Sequence, residues 1–277
     1  MEERKETRRY PRRYLKKRLH LFFIFLFLGL TCIETIFANE NRMSLANKSI
    51  SEGNYLKAFK LYQEIYNDID EKGEVRAEAL YLSGKASENL SLNLSKKAWT
   101  EIKPRKDGGY WDEDFINWGE LKVYEKEGIG FKWNHLGQRY YYDGENYKKI
   151  LRNFSTSEWV PYATFELIVL QRTEEIWEGN PEKPLNEIEK LEEIIRKFPS
   201  TGIRPKILLR MVENYLYLTR VHCDKKIGRA VYSPQKGRSY YEKAVKTFNT
   251  LDSEFSSSFE RAKAEKLLIQ AKRTYGF

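Results

Sequence analysis

Residues 53–65 read Gly53-Asn54-Tyr55-Leu56-Lys57-Ala58-Phe59-Lys60-Leu61-Tyr62-Gln63-Glu64-Ile65, and this stretch decides the fold. Gly53 and Asn54 end one helix and turn the chain, because both residue types tolerate the backbone a helix C-terminus requires. Tyr55, Ala58, Phe59, Tyr62, Ile65 and Tyr66 then recur at helical spacing and share one apolar face. Ala58 is small, which lets a neighbouring helix approach. Val75, Ala79, Leu82, Ala86 and Leu90 form the stripe of the next helix.

Three later segments share a second pattern. They are Tyr147 to Phe154 followed by Ser155-Thr156-Ser157, Leu191 to Phe198 followed by Pro199-Ser200, and Ala244 to Phe255 followed by Ser256-Ser257-Ser258. In each, an amphipathic helix ends at a Phe, a Ser-rich turn follows and another helix begins. Pro199 cannot continue a helix, and Ser or Thr can cap the next one. Phe154 and Phe198 lie 44 residues apart, Phe198 and Phe255 lie 57 apart, and Tyr66 precedes Phe154 by 88. Repeats of variable length joined by insertions give such spacings.

The residues Gly53, Tyr55, Ala58 and Tyr62 resemble the second half of a tetratricopeptide repeat. Phe198-Pro199-Ser200 resembles the turns of exported tetratricopeptide-like proteins of the outer-membrane-assembly lipoprotein and Tol–Pal coordinator type. The likeness covers residues 43–98 and 140–275 in pattern. It implies an all-α fold, a right-handed superhelical solenoid of antiparallel helix pairs, whose long concave surface binds other proteins or peptides. The Ala-rich first helix of the family is weak here, and residues 100–140 fit no repeat.

Residues 100–146 are rich in Gly and aromatic residues, with Gly108-Gly109, Gly119, Gly128, Gly130, Gly137 and Gly144. Such text suits an irregular helical hairpin or a loop packed on the repeats. Trp111, Trp118, Trp133, Tyr140 and Tyr142 are either core filling or exposed anchors for a partner, since Trp and Tyr are enriched at interface hot spots. The expected organisation is an N-terminal segment 1–38, repeats over 39–99, an insertion over 100–146 and further repeats over 147–277.

The chain has 277 residues, with 41% hydrophobic and 32% charged, which excludes a disordered or multi-span membrane protein. The net charge of +9 is misleading: residues 1–38 hold nine Lys/Arg against four acids, so the rest carries only +4. No concentrated basic stripe is visible, so no nucleic-acid partner is expected. Within the first segment, Leu21 to Ile33 is an uncharged apolar run of 13 residues. A standard membrane span needs about 20, whereas a secretory signal needs ~7–15. Cleavage after Ala38 yields an exported chain in the periplasm or on the periplasmic face of an outer membrane. The alternatives are retention as an inner-membrane signal anchor and lipidation of Cys32, for which Gly29-Leu30-Thr31 is a poor match. Cys223 is then alone, so no internal disulfide is expected.

Chemistry is sparse. His222-Cys223-Asp224 is a tempting trio, but adjacent helical residues point about 100° apart and cannot converge on one metal or substrate. Gly128-Ile129-Gly130 lacks the rest of a dinucleotide fingerprint. No zinc motif or phosphate loop is present. The sequence therefore predicts no catalytic residues, no metal and no cofactor. It predicts a scaffold for proteins of the cell envelope, with a membrane-anchored structural oligomer subunit or a cell-wall hydrolase as alternatives.

Overall fold

A computed structural model of the chain describes residues 42–101, 118–135, 137–174 and 179–277. The chain is predominantly helical. Residues 42–51 form α1. There follow α2 (Tyr55–Asn67), α3 (Gly73–Glu101), α4 (Trp118–Lys126), β1 (Phe131–Asn134), β2 (Arg139–Tyr142), α5 (Glu145–Asn153), α6 (Val160–Glu174), α7 (Glu182–Lys197), α8 (Arg204–Cys223), α9 (Pro234–Glu254) and α10 (Phe259–Tyr275). The segment read as an export signal, with Cys32, lies outside the described residues. Among the described residues no helix is long and apolar enough to cross a membrane.

The turn that opened the sequence reading has a definite chemistry. Gly53 has φ +77° and ends α1. Its N–H donates to the Ile50 carbonyl at 3.0 Å, and the Asn54 N–H donates to the Ser49 carbonyl at 2.8 Å. This pair of bonds satisfies carbonyls that the helix end leaves open, and it requires a left-handed residue. Ala58, Phe59, Tyr62 and Ile65 then face inward from α2.

The Phe-ended helices share one geometry. Phe154, Phe198 and Phe255 cap α5, α7 and α9 with φ/ψ of −136°/47°, −132°/66° and −140°/47°. Each Phe N–H donates to the carbonyl four residues earlier, at 2.9, 2.8 and 2.9 Å. Each Phe carbonyl then accepts from the residue three further on: Ser157, Thr201 and Ser258, at 2.9, 3.1 and 3.0 Å. Ser258 also caps α10, its Oγ accepting from the Arg261 N–H at 3.1 Å. Tyr66 is not a fourth example. It lies inside α2, which ends at Asp68 in an extended conformation, and its ring packs edge-on against Phe154 at 6.4 Å.

The helices pack chiefly on their neighbours along the chain, α2 on α3, α5 on α6, α6 on α7, α7 on α8 and α8 on α9. α3 also meets α5 and β2, and α8 also meets α10. Two cores result. The first collects Phe59, Tyr62, Ile65, Leu80, Tyr147 and Ile150, and the second Leu191, Ile207, Val212, Leu218, Leu251 and Leu268. α6 belongs to both: Ala163 lies in the first, Phe165 and Ile168 in the second, and Tyr162 packs against each.

The insertion differs from an irregular helical hairpin. It forms the short helix α4 and an antiparallel β-hairpin in which Phe131 pairs with Tyr142 and Trp133 with Tyr140. Two strands alone are marginal in water, so the hairpin is held by what it docks on. That support is α3, whose buried Ser83, Gly84, Ser87, Ser91 and Ser95 form a small-residue face. The Tyr140 N–H donates to Ser95 Oγ at 2.8 Å. Gly84 lets α5 come close, because a Cβ there would lie 2.4 Å from the Tyr147 ring. Tyr147 is fully buried and has nowhere to move. Gly84→Ala is therefore expected to destabilise the protein by about 1–3 kcal/mol through overpacking. A urea unfolding midpoint unchanged by that substitution would contradict the close approach.

Candidate functional site

Among the described residues polar side chains gather at several places, two of which bear on function. The first is a buried junction where α3 meets α5 and α6. Lys85 Nζ donates to Glu88 Oε2 at 2.6 Å and lies 3.3 Å from Glu166 Oε1. Tyr81 Oη donates to Glu166 Oε1 at 3.0 Å, and Tyr147 Oη donates to Glu88 Oε1 at 2.5 Å. Tyr81 also sits in an aromatic group with Tyr147, Trp159 and Tyr162, at centroid distances of 5.8, 5.0 and 5.7 Å. Two carboxylates thus share one half-buried ammonium, with Glu166 the most deeply placed of the three.

Burial pushes the Glu88 carboxyl above its ordinary value; Lys85 opposes that shift and the Glu166 charge adds to it. Burial disfavours the Lys85 ammonium, but attraction from Glu88 and Glu166 outweighs it and raises Lys85. Burial, followed by the neighbouring carboxylates, raises the Tyr81 and Tyr147 hydroxyls, so both stay protonated donors. A pair of carboxylates with one raised carboxyl is the kind of arrangement acid–base chemistry uses. Here both Glu88 oxygens and one Glu166 oxygen are engaged by donors from the fold itself, which is what a structural tie between helices requires.

The second place is a groove. Leu208, Met211 and Tyr215 lie at positions i, i+3 and i+7 on one face of α8. α7 contributes Ile195 and Arg196 along one side, and α9 contributes Lys243, Lys246 and Thr250 along the other. The groove is open to solvent and has a volume of about 480 Å³. Arg204 closes one end with a bidentate pair to Glu254, Nε at 2.6 Å and Nη2 at 3.0 Å. That pair holds the Glu254 carboxyl below its ordinary value and raises the Arg204 guanidinium. Lys243 Nζ lies 5.3 Å from the Tyr240 ring centroid. Burial, and then the nearby Glu192 charge, raises the Tyr215 hydroxyl.

The aromatic residues singled out in the insertion fall in different places. Trp111 lies outside the described residues, and Trp118 opens α4 with its side chain undescribed. Trp133 is half-buried and packs edge-on against Tyr140 at 4.9 Å. Tyr140 is 3% exposed and Tyr142 1%, so these two offer no surface to a partner. Tyr142 Oη instead accepts the Asn146 N–H at 2.6 Å, tying β2 to the start of α5. The expectation of exposed anchors is corrected at these two positions, because a short hairpin can be stable only by burying one aromatic face.

The trio His222-Cys223-Asp224 disperses. His222 is buried, its Nδ1 2.6 Å from the Val231 carbonyl and its ring stacked on Tyr240 at 5.4 Å. Burial raises the Cys223 thiol. Asp224 Oδ1 accepts from the Lys226 N–H at 2.8 Å. Among the described residues no three His, Cys, Asp or Glu side chains are grouped to hold a metal ion. The groove was missed by sequence reading because positions 196, 204, 243 and 246 meet only once three helices pack. The visible trace was the 208, 211, 215 spacing within the run from Ile207 to Leu218.

The junction has a measurable signature. Folding binds a proton at Glu88 between the ordinary carboxyl value of 4.5 and the raised folded value. Stability therefore falls as pH rises through that interval, since the folded state binds more protons there. Glu88→Gln is expected to flatten this fall in denaturant midpoints taken from about pH 4 to pH 8. An unchanged slope would remove Glu88 as its source. Lys85→Met leaves two carboxylates facing each other and is expected to cost about 2 kcal/mol, less than a fully buried pair because Lys85 keeps some solvent contact.

No family model matches the chain and no curated protein matches its sequence, so a functional reading rests on the chemistry of these residues.

Proposed function

We propose that this protein is an exported helical-repeat scaffold that binds other proteins in a bacterial cell envelope. The observation that carries the reading is the groove on α7, α8 and α9, rimmed by the exposed cations Arg196, Lys243 and Lys246. Support for a tetratricopeptide-like arrangement comes from the three matching Phe-capped turns and from packing that runs mainly between chain neighbours. Helix pairs of this kind cannot bury their stripes alone, so they stack and present extended surfaces. The basic segment before Leu21 and the apolar run to Ile33 support export, to the periplasm or the periplasmic face of an outer membrane. The Glu88–Lys85–Glu166 junction favours a structural over a hydrolytic use of its carboxylates, because its donors come from the fold.

One observation favours a second reading, a structural subunit that self-associates. Phe259 is 77% exposed and Ile269 48% exposed on α10, the last helix described. Stacked-helix proteins usually cover such an end with polar residues or another chain.

Chemical crosslinking in membranes, followed by capture of the full chain and identification of what is attached, tests the reading. Attachment of a different envelope protein is the expected result. Crosslinks only between copies of this chain would favour the structural subunit. Degradation of purified peptidoglycan without any partner would overturn both.

A further inference from the structure

We propose that α10 pairs antiparallel with α10 of a second copy of this chain, each copy seating Phe259 between Ile269 and Arg273 of the other. This deepens the self-association reading above and rests on it. One side of α10 is committed: Ala264, Leu268 and Ala271 are buried, and the helix packs on α8 and α9. At about 100° per residue, Phe259, Ala262, Lys266, Ile269, Gln270 and Arg273 fall on the opposite side, and all six are exposed. Phe259 leaves 77% of its surface in water. Covering that ring together with Ile269 removes apolar area from solvent, which favours association.

The exposed side carries both a knob and a hole. Ala262, Lys266, Ile269, Gln270 and Arg273 border a shallow depression of about 450 Å³, open to solvent. Phe259 stands outside it, three residues before Ala262. A knob and a hole offset along one face suit two-fold pairing, because residue i of one copy meets residue j of the other and j meets i. An antiparallel register that sets 262 opposite 269 also sets 265 opposite 266 and 259 opposite 272. Small Ala262 then accommodates Ile269, Lys266 meets Glu265, and the Arg273 guanidinium reaches the Phe259 ring. The charges are available for this. The ion pairs of α10 run through Arg261 and Lys263, which leaves Lys266 and Arg273 without one among the described residues. Arg261 holds Glu265 through Oε2 at 2.5 Å but stands 3.5 Å from Oε1, so Oε1 can accept from Lys266 of the other copy.

An anionic membrane surface is a poorer match. It repels Glu265 and gains nothing from the depression, whereas a second copy uses both. A single helix pair is smaller than the roughly 800 Å² per partner of a standard interface, so the dimer is weak, with a Kd on the order of 10 μM. Two-fold closure stops the assembly at two copies.

The test uses the full chain. Sedimentation of the purified protein in mild detergent measures the monomer–dimer equilibrium. A photo-crosslinking residue in place of Gln270 reports in membranes what covers this face, and mixed light- and heavy-isotope chains show which crosslinks join different copies. A dimer is expected, with crosslinks from position 270 to residues 259–263 of the other copy. Phe259→Ala and Ile269→Lys change exposed side chains and are each expected to weaken the dimer about tenfold, with unchanged circular dichroism. Lys266→Glu sets like charges together and is expected to weaken it several-fold; adding Glu265→Lys is expected to restore it, a rescue that needs a 265–266 contact between copies. An unchanged dimer in Ile269→Lys, or no rescue in the charge swap, would overturn the proposal. So would crosslinking of position 270 to an envelope protein, to lipid or to residues 1–41 of the chain. Dimers linked only through other surfaces would remove this interface and leave the self-association reading standing. A chain that stays monomeric in detergent and in membranes would remove both.

Discussion

Helix α6 is apolar on more than one side, and that constraint joins the molecule. Its residues Val160 to Leu170 include no lysine or arginine, and their inward positions divide between two cores. A helix of this kind can be stable only with partners on both flanks. α5 with α3 supplies one flank and α7 with α8 the other. Tyr162, touching both cores, makes the two halves pack as a continuous series. The chain therefore grows by adding hairpins to α6 in each direction, and most contacts stay local in sequence.

On one side of α6 the packing depends on small residues. α3 exposes to its neighbours a face of Ser83, Gly84, Ser87, Ser91 and Ser95, narrow enough for β2 and α5 to settle against its backbone. Ser87 and Ser95 donate their hydroxyls to the carbonyls four residues back, so burying them leaves no donor unsatisfied. Ser83 Oγ accepts from both Gln63 and Asn146, at 2.8 and 2.9 Å, linking α2, α3 and α5. The hairpin thus joins the first core through Tyr142 and the smaller Leu94–Leu121 cluster through Tyr140. Its Tyr140 and Tyr142 are spent on packing.

That second side is built differently. Glu187 accepts from Arg210 at 2.5 Å and from Asn214 at 3.0 Å, locking α7 to α8 inside the protein. Arg204 with Glu254 locks α8 to α9 at the edge. Between these ties Leu208, Met211 and Tyr215 of α8 are buried in the second core. The cations along α7 and α9 are long, solvated side chains whose apolar stems line the walls while their charges stay in water.

Much of this was legible from sequence. The stripe from Tyr55 to Ile65 faces inward, Gly53 adopts the left-handed turn, and Phe154, Phe198 and Phe255 end their helices alike. These are local features: a 3.6-residue period, a helix end and a cap are set by residues within one or two turns of each other. The β-hairpin was not read, although the alternation of Phe131 with Trp133 and of Tyr140 with Tyr142 carried it, because strands of four residues flanked by glycines acquire their structure only from the surface they dock on. The pairing of Glu88 with Lys85 and Glu166, and the meeting of Arg196 with Lys243 and Lys246, are likewise beyond local reading. Sequence by itself determined where helices run and which face of each is apolar, since periodicity dictates both. The tertiary structure alone decided which charges end up buried together and which groove stays open, because those depend on distances between helices that no spacing along one helix encodes.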